Sequence, residues 1–393
     1  MTDIAKDMPW LGRAWSTVQQ RLAQDRLPHA LLVVGERGVG KRAWAEAVAG
    51  LLLCDQPVGL DIGAPVPCGQ CRQCQLIAAA SHPDVRVYTP EKSRMVKVDQ
   101  IRALSTFAVA SPQVAHRKVA IVDRADQLNI NAANALLKTL EEPLPDVTLL
   151  LLQESGRPVL PTIRSRCQAL TIPLPDTEDA GRWLSARVSE LDESARPSPD
   201  TLAKSLMLAG SAPRLALEYA TGEFLPQRDE AFEAFRQFMK GQMTVGDAAR
   251  RFKTLGLDDT LWLFESWAAD LARCSAGGEV QDPEAADMLG YLARSNPPWR
   301  AHQLLDRVRE SRSAGVYNAS PELEATQLLL AWREVMPQPA EISATGTPAA
   351  YDLGMSVCIR FCRDSASCRS SMIIVYEAVA LSSLSALSLR SSS

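Results

Sequence analysis

The stretch GERGVGKRAW, Gly35–Trp44, decides how the first part of this chain is read. Gly35, Gly40 and Lys41 keep the spacing of a phosphate-binding loop, G-x-x-x-x-G-K, and Gly38 adds a third small residue inside it. Arg42 stands where a Ser or Thr hydroxyl would complete the motif. The loop follows an apolar run, ALLVV (Ala30–Val34), and precedes a helical pattern over Arg42–Leu53. Strand, loop and helix in that order are the context the motif requires. Glycines let backbone N–H groups approach phosphate oxygens, the helix start adds a positive dipole end, and Lys41 supplies a point charge. The missing hydroxyl normally holds Mg²⁺ through its oxygen. A guanidinium is cationic and has no acceptor, so Arg42 cannot take that role.

Working outward, four more apolar runs read as buried parallel strands: Asp84–Tyr88, Lys118–Val122, Val147–Leu152 and Ala169–Ile172. Strands covered on both faces lose in/out alternation and read as continuous apolar stretches. Helical patterns lie between them, at about 98–109 and in NAANALLKTLEEP, where Ala133, Leu136, Leu137 and Leu140 share a face and Pro143 ends it. The alternation predicts an α/β phosphate-loop domain with a parallel sheet over 1–173. After Pro173 the strand signals stop. Two capped helical segments predict a small helical lid over 174–224, and amphipathic helices predict an all-α domain over 225–336. Within the latter, Trp262 and Trp267 fall at apolar spacing and read as core, and Ser320–Pro321 reads as a helix start. The stretch 337–393 turns to Pro, Ala, Thr and Ser and reads as a disordered tail without assigned function.

A second acidic element is altered too. In VAIVDRAD, Val119–Asp126, Asp123 ends a strand and is a candidate metal carboxylate. Arg124 follows it, where a glutamate would orient water, and Asp126 is the remaining candidate base. The alternative is that Asp123 and Asp126 cap the next helix. Two changes therefore point the same way: one removes a metal ligand, the other a base.

Four cysteines, Cys54, Cys68, Cys71 and Cys74, occupy about 54–74, with the close triple spaced C-x-x-C-x-x-C. Four thiolates satisfy a closed tetrahedral Zn²⁺ site, which leaves no open position and so predicts a structural metal. Free core cysteines and an iron–sulfur cluster are the competing readings. The chain carries nine cysteines in all, an odd number, which favours metal over disulfides where no export signal is read. The opening MTDIAKDMPW has no apolar core, and MIIVYEAVAL near the end is short and broken by Glu377. A cytoplasmic protein is expected. The net charge of -4 excludes a global field toward DNA or anionic lipid, so nucleic-acid contact must be local or made by partners.

Taken together, PHALLVVGERGVGK, the cysteine run, VKVDQIRAL, KVAIVDRADQLNINAANALLKTLEEP and LPTIRSRCQ resemble the clamp-loader ATPases of the AAA+ superfamily, over about residues 9–336. The resemblance implies a subunit of a DNA-directed DNA polymerase (nucleotidyltransferase) holoenzyme acting in DNA replication. It matches Gly35, Gly38, Gly40 and Lys41 to the phosphate loop, Arg214 to the second sensor arginine, and the four cysteines to a zinc module. It matches Ser165, Arg166 and Cys167 to the Ser-Arg-Cys motif, whose arginine reaches the neighbouring subunit's ATP site. Gln153 and Glu154 fall in the first sensor region, where active relatives carry Thr or Asn. Together with Arg42 and Arg124, this departure implies an inactive branch that holds ATP or ADP passively, if at all, and hydrolyses none. The implied partners are gamma/tau and delta subunits, the sliding clamp (beta) and, through the complex, primer-template DNA. The helices of 225–336 would form the collar of a pentameric arc. Lys138, Glu141 and Glu142 are candidates for contact with neighbours or DNA. Arg94, Lys97 and Arg102 read as solvated charges, with a DNA-backbone contact as the alternative.

Three other classes compete. The runner-up is an ATP-hydrolysing gamma/tau-like subunit in which Arg42 is tolerated. A zinc-bearing nucleotide kinase would need a second substrate pocket and a base, and neither is legible. A pure adapter would leave its neighbour's chemistry untouched.

Overall fold

The five apolar runs form one sheet. In the computed structural model, which describes residues 4–91, 95–314 and 320–336, the strands are β1 (Ala30–Gly35), β2 (Val85–Tyr88), β3 (Lys118–Val122), β4 (Val147–Glu154) and β5 (Gln168–Thr171). Every pairing is parallel, in the order β2-β3-β4-β1-β5. The register sets Leu31 opposite Leu150 and Ile121 also opposite Leu150, so apolar residues stack across three central strands. Adjacent residues serve opposite faces. Leu31, Val33, Val119, Ile121, Leu150 and Leu152 enter one core, whereas Ala30, Leu32, Ala120, Val122, Leu149 and Leu151 enter another. Both faces are therefore apolar, as continuous runs require.

Helices cover both faces. Through β5 they are α1 (Ile4–Asp7), α2 (Gly12–Ala23), α3 (Lys41–Leu53), α4 (Arg72–Ala78), α5 (Val98–Val109), α6 (Ile130–Glu141) and α7 (Pro161–Arg164). The fold is an α/β phosphate-loop domain, with a region that is all helix among the described residues after it. This comprises α8 (Thr177–Ser189), α9 (Pro199–Leu208), α10 (Pro213–Thr221), α11 (Phe224–Met239), α12 (Val245–Arg251), α13 (Gly256–Ser275), α14 (Ala286–Ser295), α15 (Pro298–Ala314) and α16 (Pro321–Glu334). Asp176 and Ser198 cap α8 and α9 by accepting the amides of Asp179 and Thr201. Ser320 starts α16 with Pro321 in its first turn, without a side-chain cap bond.

Trp267 is fully buried among Phe232, Phe235 and Phe264, as its spacing predicts, and Trp262 lies edge-on to Tyr219 of α10 with ring centroids 6.3 Å apart. This helical core also buries a charge. Arg228 is fully enclosed and pairs with Asp282 and Glu284, while Trp267 Nε1 donates to Asp282 at 3.2 Å. Arg94 and the serine-rich 337–393 lie outside the described residues. Among the described residues no helix is long and apolar enough to cross a membrane.

Candidate functional site

Parallel strands present their carboxyl ends on one edge, and in such sheets ligands sit at that edge where the strand order reverses. Here β1, β3 and β4 end there in Gly35, Val122–Asp123 and Glu154. The phosphate loop leaves β1 at Gly35 and enters α3 at Lys41. Gly38 and Gly40 hold φ of 76° and 106°, values that side chains disfavour. At Gly38 space forbids one as well, since an added Cβ would fall 2.3 Å from Leu215 Cβ. Gly38 is thus roofed by the start of α10, whose Arg214 amide donates to Gly38 O at 3.0 Å. The exposed Arg214 side chain passes over Gly40, where an added Cβ would lie 3.8 Å from its Cδ. From the other side, Trp10 Nε1 donates to Val39 O at 2.8 Å. Sequence reasoning did not assign Trp10 or Leu215, because neither belongs to the motif. Lys41 Nζ donates to Gly35 O at 2.7 Å and Glu36 O at 2.8 Å, and burial lowers its pKa.

Arg42 extends across the metal side of the cradle. Its Nη1 lies 3.4 Å from Asp123 Oδ2, and its Nε bonds Glu46 Oε1 at 2.6 Å. The cation at the hydroxyl position thus pairs with the carboxylate that would bind metal. Neither Asp123 nor Asp126 caps α6. That cap is Asn129, which accepts the Ala132 amide at 2.7 Å. The helix starts four residues beyond Asp126, after a single 3₁₀ turn, so the cap alternative is corrected. Asp126 is buried and accepts the Glu154 amide at 3.0 Å; burial raises its pKa against the pull of Arg124.

Glu154, in the first sensor region, is the hub of an ion cluster. Arg124, Arg157 and Arg312 approach its carboxylate at 3.4, 3.3 and 2.5 Å. Burial would raise its pKa, but these arginines outweigh burial and hold it below the usual carboxylate range. Arg312 also pairs with Glu265, joining β4 to α13 and α15. Arg37 of the phosphate loop pairs with Asp259 of α13 and approaches Glu218 of α10 at 3.6 Å. Glu36, Asp126, Arg157, Glu265, Arg309 and Arg312 line a cleft of about 500 Å³ beside this cluster. None of these long-range pairs has a local spacing that would reveal it in the sequence.

Cys54, Cys68, Cys71 and Cys74 converge, with all four sulfurs within 4.8 Å of one another. Cys54 Sγ lies 3.9 Å from Cys71 Sγ, and Cys68 Sγ 4.0 Å from Cys74 Sγ. A tetrahedron of Zn–S bonds of about 2.3 Å has edges of about 3.8 Å, so the cluster could hold a metal ion and its size suits zinc. Backbone amides of Cys68, Cys71 and Cys74 donate to Cys54, Cys68 and Cys71 sulfurs at 3.3–3.5 Å, a polarity that favours thiolates. The amides of Gln70 and Cys71 pull the Cys68 thiol down to about 6, whereas burial pushes Cys54 and Cys74 up.

Arg166 occupies the other edge of the sheet. β5 pairs β1 with Gln168 opposite Leu31, four residues before Gly35, and Arg166 lies in the turn that precedes Gln168. At the strand rise the four residues from Leu31 to Gly35 span about 13 Å, so β5 starts well back from the phosphate loop. Its Nη2 sits 2.7 Å from Glu141 Oε1, and its Nη1 donates to Thr162 O at 3.0 Å. The side chain is about one-third exposed. Elsewhere, Arg102 is exposed and pairs with Asp99 at 3.0 Å.

A phosphate loop carrying an arginine for a hydroxyl is thus roofed by the start of α10 and set on a five-strand parallel sheet, with Ser165, Arg166 and Cys167 in the turn before β5. The family model described as DNA polymerase III, delta subunit matches residues 11–176. The DNA polymerase III subunit delta' of Pseudomonas aeruginosa is 35% identical over 289 residues, 73% of this chain and 83% of that protein. The Escherichia coli protein of the same name is 30% identical over 329 residues, 82% of this chain and 94% of that one. The chain belongs to the DNA polymerase III subunit delta' family. A solved gamma subunit-related protein of Thermotoga maritima is 18% identical, with a TM-score of 0.40, covering 81% of this chain and 99% of that one.

Proposed function

We propose that this chain is a non-hydrolysing support of the clamp loader that supplies Arg166 to an ATP bound by the neighbouring gamma/tau subunit. One observation carries the reading: Arg42 is paired with Asp123 where magnesium would be held. With Arg124 in place of a water-orienting carboxylate, the cradle keeps Gly35, Gly38, Gly40, Lys41 and Arg214 but lacks the two groups that hydrolysis needs. ATP or ADP bound there would stay intact. The position of Arg166, in the turn before β5 and back from the strand ends that carry its own loop, supports action on another molecule. A guanidinium pairs two phosphate oxygens at once and stabilises charge that develops in phosphoryl transfer.

On this reading 1–173 is the phosphate-loop part, 174–224 the lid and 225–336 the collar. The thiols at 54–74 hold structural zinc. Gamma/tau and delta would flank the chain, and the sliding clamp and primer-template DNA would be met through the complex.

The test has two arms. The purified chain is assayed for phosphate release beside Lys41→Ala, and no turnover is expected from either. Arg166→Ala is assembled into the complete clamp loader. A fall of at least tenfold in DNA-stimulated hydrolysis by the neighbours, with assembly intact, is expected. An unchanged rate would leave an adapter, and turnover by the isolated chain that Lys41→Ala abolishes would restore the gamma/tau-like reading.

A further inference from the structure

Thirteen residues separate Cys54 from Cys68, and they form an ordered hairpin rather than a slack loop. Val58 and Val66 exchange both backbone hydrogen bonds, at 2.9 and 2.8 Å. The Ala64 amide donates to Gly59 O at 3.1 Å, and Gly59 holds φ of 81°. A Cβ at Gly59 would fall 2.9 Å from Ala64 O, so the turn accepts only glycine there. The base is fastened too: buried Gln19 of α2 donates to Pro65 O at 3.0 Å, and the Cys68 amide donates to Cys54 Sγ at 3.3 Å.

This hydrogen-bonded tip faces solvent with apolar side chains. Val58 is 59% exposed, Leu60 49% and Ile62 76%. Asp55 and Asp61, both exposed, are the only charged residues between Cys54 and Cys68. That balance selects the occupant. Two carboxylates without a cation repel a DNA backbone and an anionic membrane surface. A two-fold contact with a second copy would set Asp61 against Asp61. Apolar side chains on a hydrogen-bonded turn, with the Asp61 carboxylate between Leu60 and Ile62, fit an apolar pocket with a basic rim.

We propose that the Val58–Ile62 tip is a protein-docking knob. It seats its apolar side chains in an apolar groove rimmed by Lys or Arg on a different protein. Three side chains make a small contact, so the complex should be transient and tuned by its charged rim.

The test is photo-cross-linking with Leu60→benzoylphenylalanine in the full chain, assembled with its natural partners in living cells. The cross-linked peptide is then sequenced, and the protein carrying it is purified and titrated against the unmodified chain. The proposal expects a cross-link inside an apolar groove flanked by Lys or Arg. It also expects Leu60→Ser and Ile62→Ser each to weaken binding on the order of tenfold. Asp61→Lys should weaken it several-fold, more at low salt. Metal content and melting temperature of these variants should stay at wild-type values, since the side chains are exposed. Cross-linking to DNA, to lipid or to a second copy overturns the proposal. So does a protein site without an apolar groove, an unchanged affinity of the serine variants, or no cross-link.

Discussion

Arg42 Nη1 and Asp123 Oδ2 lie 3.4 Å apart, across 81 residues of sequence, and close the metal side of the phosphate loop with an internal ion pair. An altered residue and a retained carboxylate that look independent in the sequence are one feature in space. Replacing the hydroxyl with a guanidinium removes a ligand and also occupies the other ligand. Restoring Arg42→Thr alone should therefore give no ATP turnover, because Arg124 still leaves water unoriented. Arg42→Thr combined with Arg124→Glu is the minimum change expected to yield Mg²⁺-dependent phosphate release. A coupled phosphate assay on the three proteins checks the order, and turnover by the single variant would contradict it.

The sulfur cluster makes a compositional prediction. Metal analysis of the purified chain should find one zinc per molecule. Cys74→Ser should lose it and lower the melting temperature sharply, because three thiolates leave a tetrahedral site open and structural zinc sites contribute roughly 10 kcal/mol or more to small modules. Retention of metal by Cys74→Ser would remove that residue from the ligand set.

Asp84 gives a prediction with a definite sign. Its carboxylate accepts the amides of Gln113, Val114 and Ala115 at 2.7, 2.8 and 2.9 Å. Burial works against the charged form, but these three donors outweigh it and hold the pKa below the ordinary carboxylate range. A group depressed on folding contributes stability that is present above its unfolded pKa and is lost as pH falls through the folded one. Asp84→Asn should therefore cost on the order of 1–3 kcal/mol at pH 7. The difference from wild type should shrink as pH drops below about 4. Denaturant titrations at pH 7 and at a series of pH values below about 4 read both quantities.

Arg228 tests the helical core. It is fully buried and satisfies Asp282, whose other oxygen accepts the Glu284 amide at 3.1 Å. Removing one member of a buried pair strands the other, at a cost of about 3–5 kcal/mol. Arg228→Ala should lower the unfolding midpoint by a corresponding amount. Arg228→Ala with Asp282→Asn should recover part of it, and a double-mutant cycle in denaturant measures the coupling.

These pairs also mark where sequence reading stops. The strands were legible because both sheet faces are apolar, which leaves runs such as Leu149–Leu152 unbroken. β4 nevertheless runs on through Gln153 and Glu154, two residues beyond the apolar pattern. Its polar end can be buried because Arg157 and Arg312 neutralise it, and Arg312 is 158 residues away. The thiol cluster was legible because three of its cysteines share a short spacing. α2 was not, since Gly12–Ala23 lies before the first motif and only its contacts give it a role: Gln19 holds the hairpin base. The helix-cap alternative for Asp126 failed for a similar reason. Local propensity allowed it, and the distant strand end it binds was invisible.

The roof over Gly38 has a consequence for the subunit's behaviour in a cell. Lys41 already satisfies the carbonyls of Gly35 and Glu36, and Leu215 already fills the space above the loop. The loop thus owes its shape to the protein's own atoms rather than to a visiting triphosphate. Swings in cellular ATP should therefore leave its geometry unchanged.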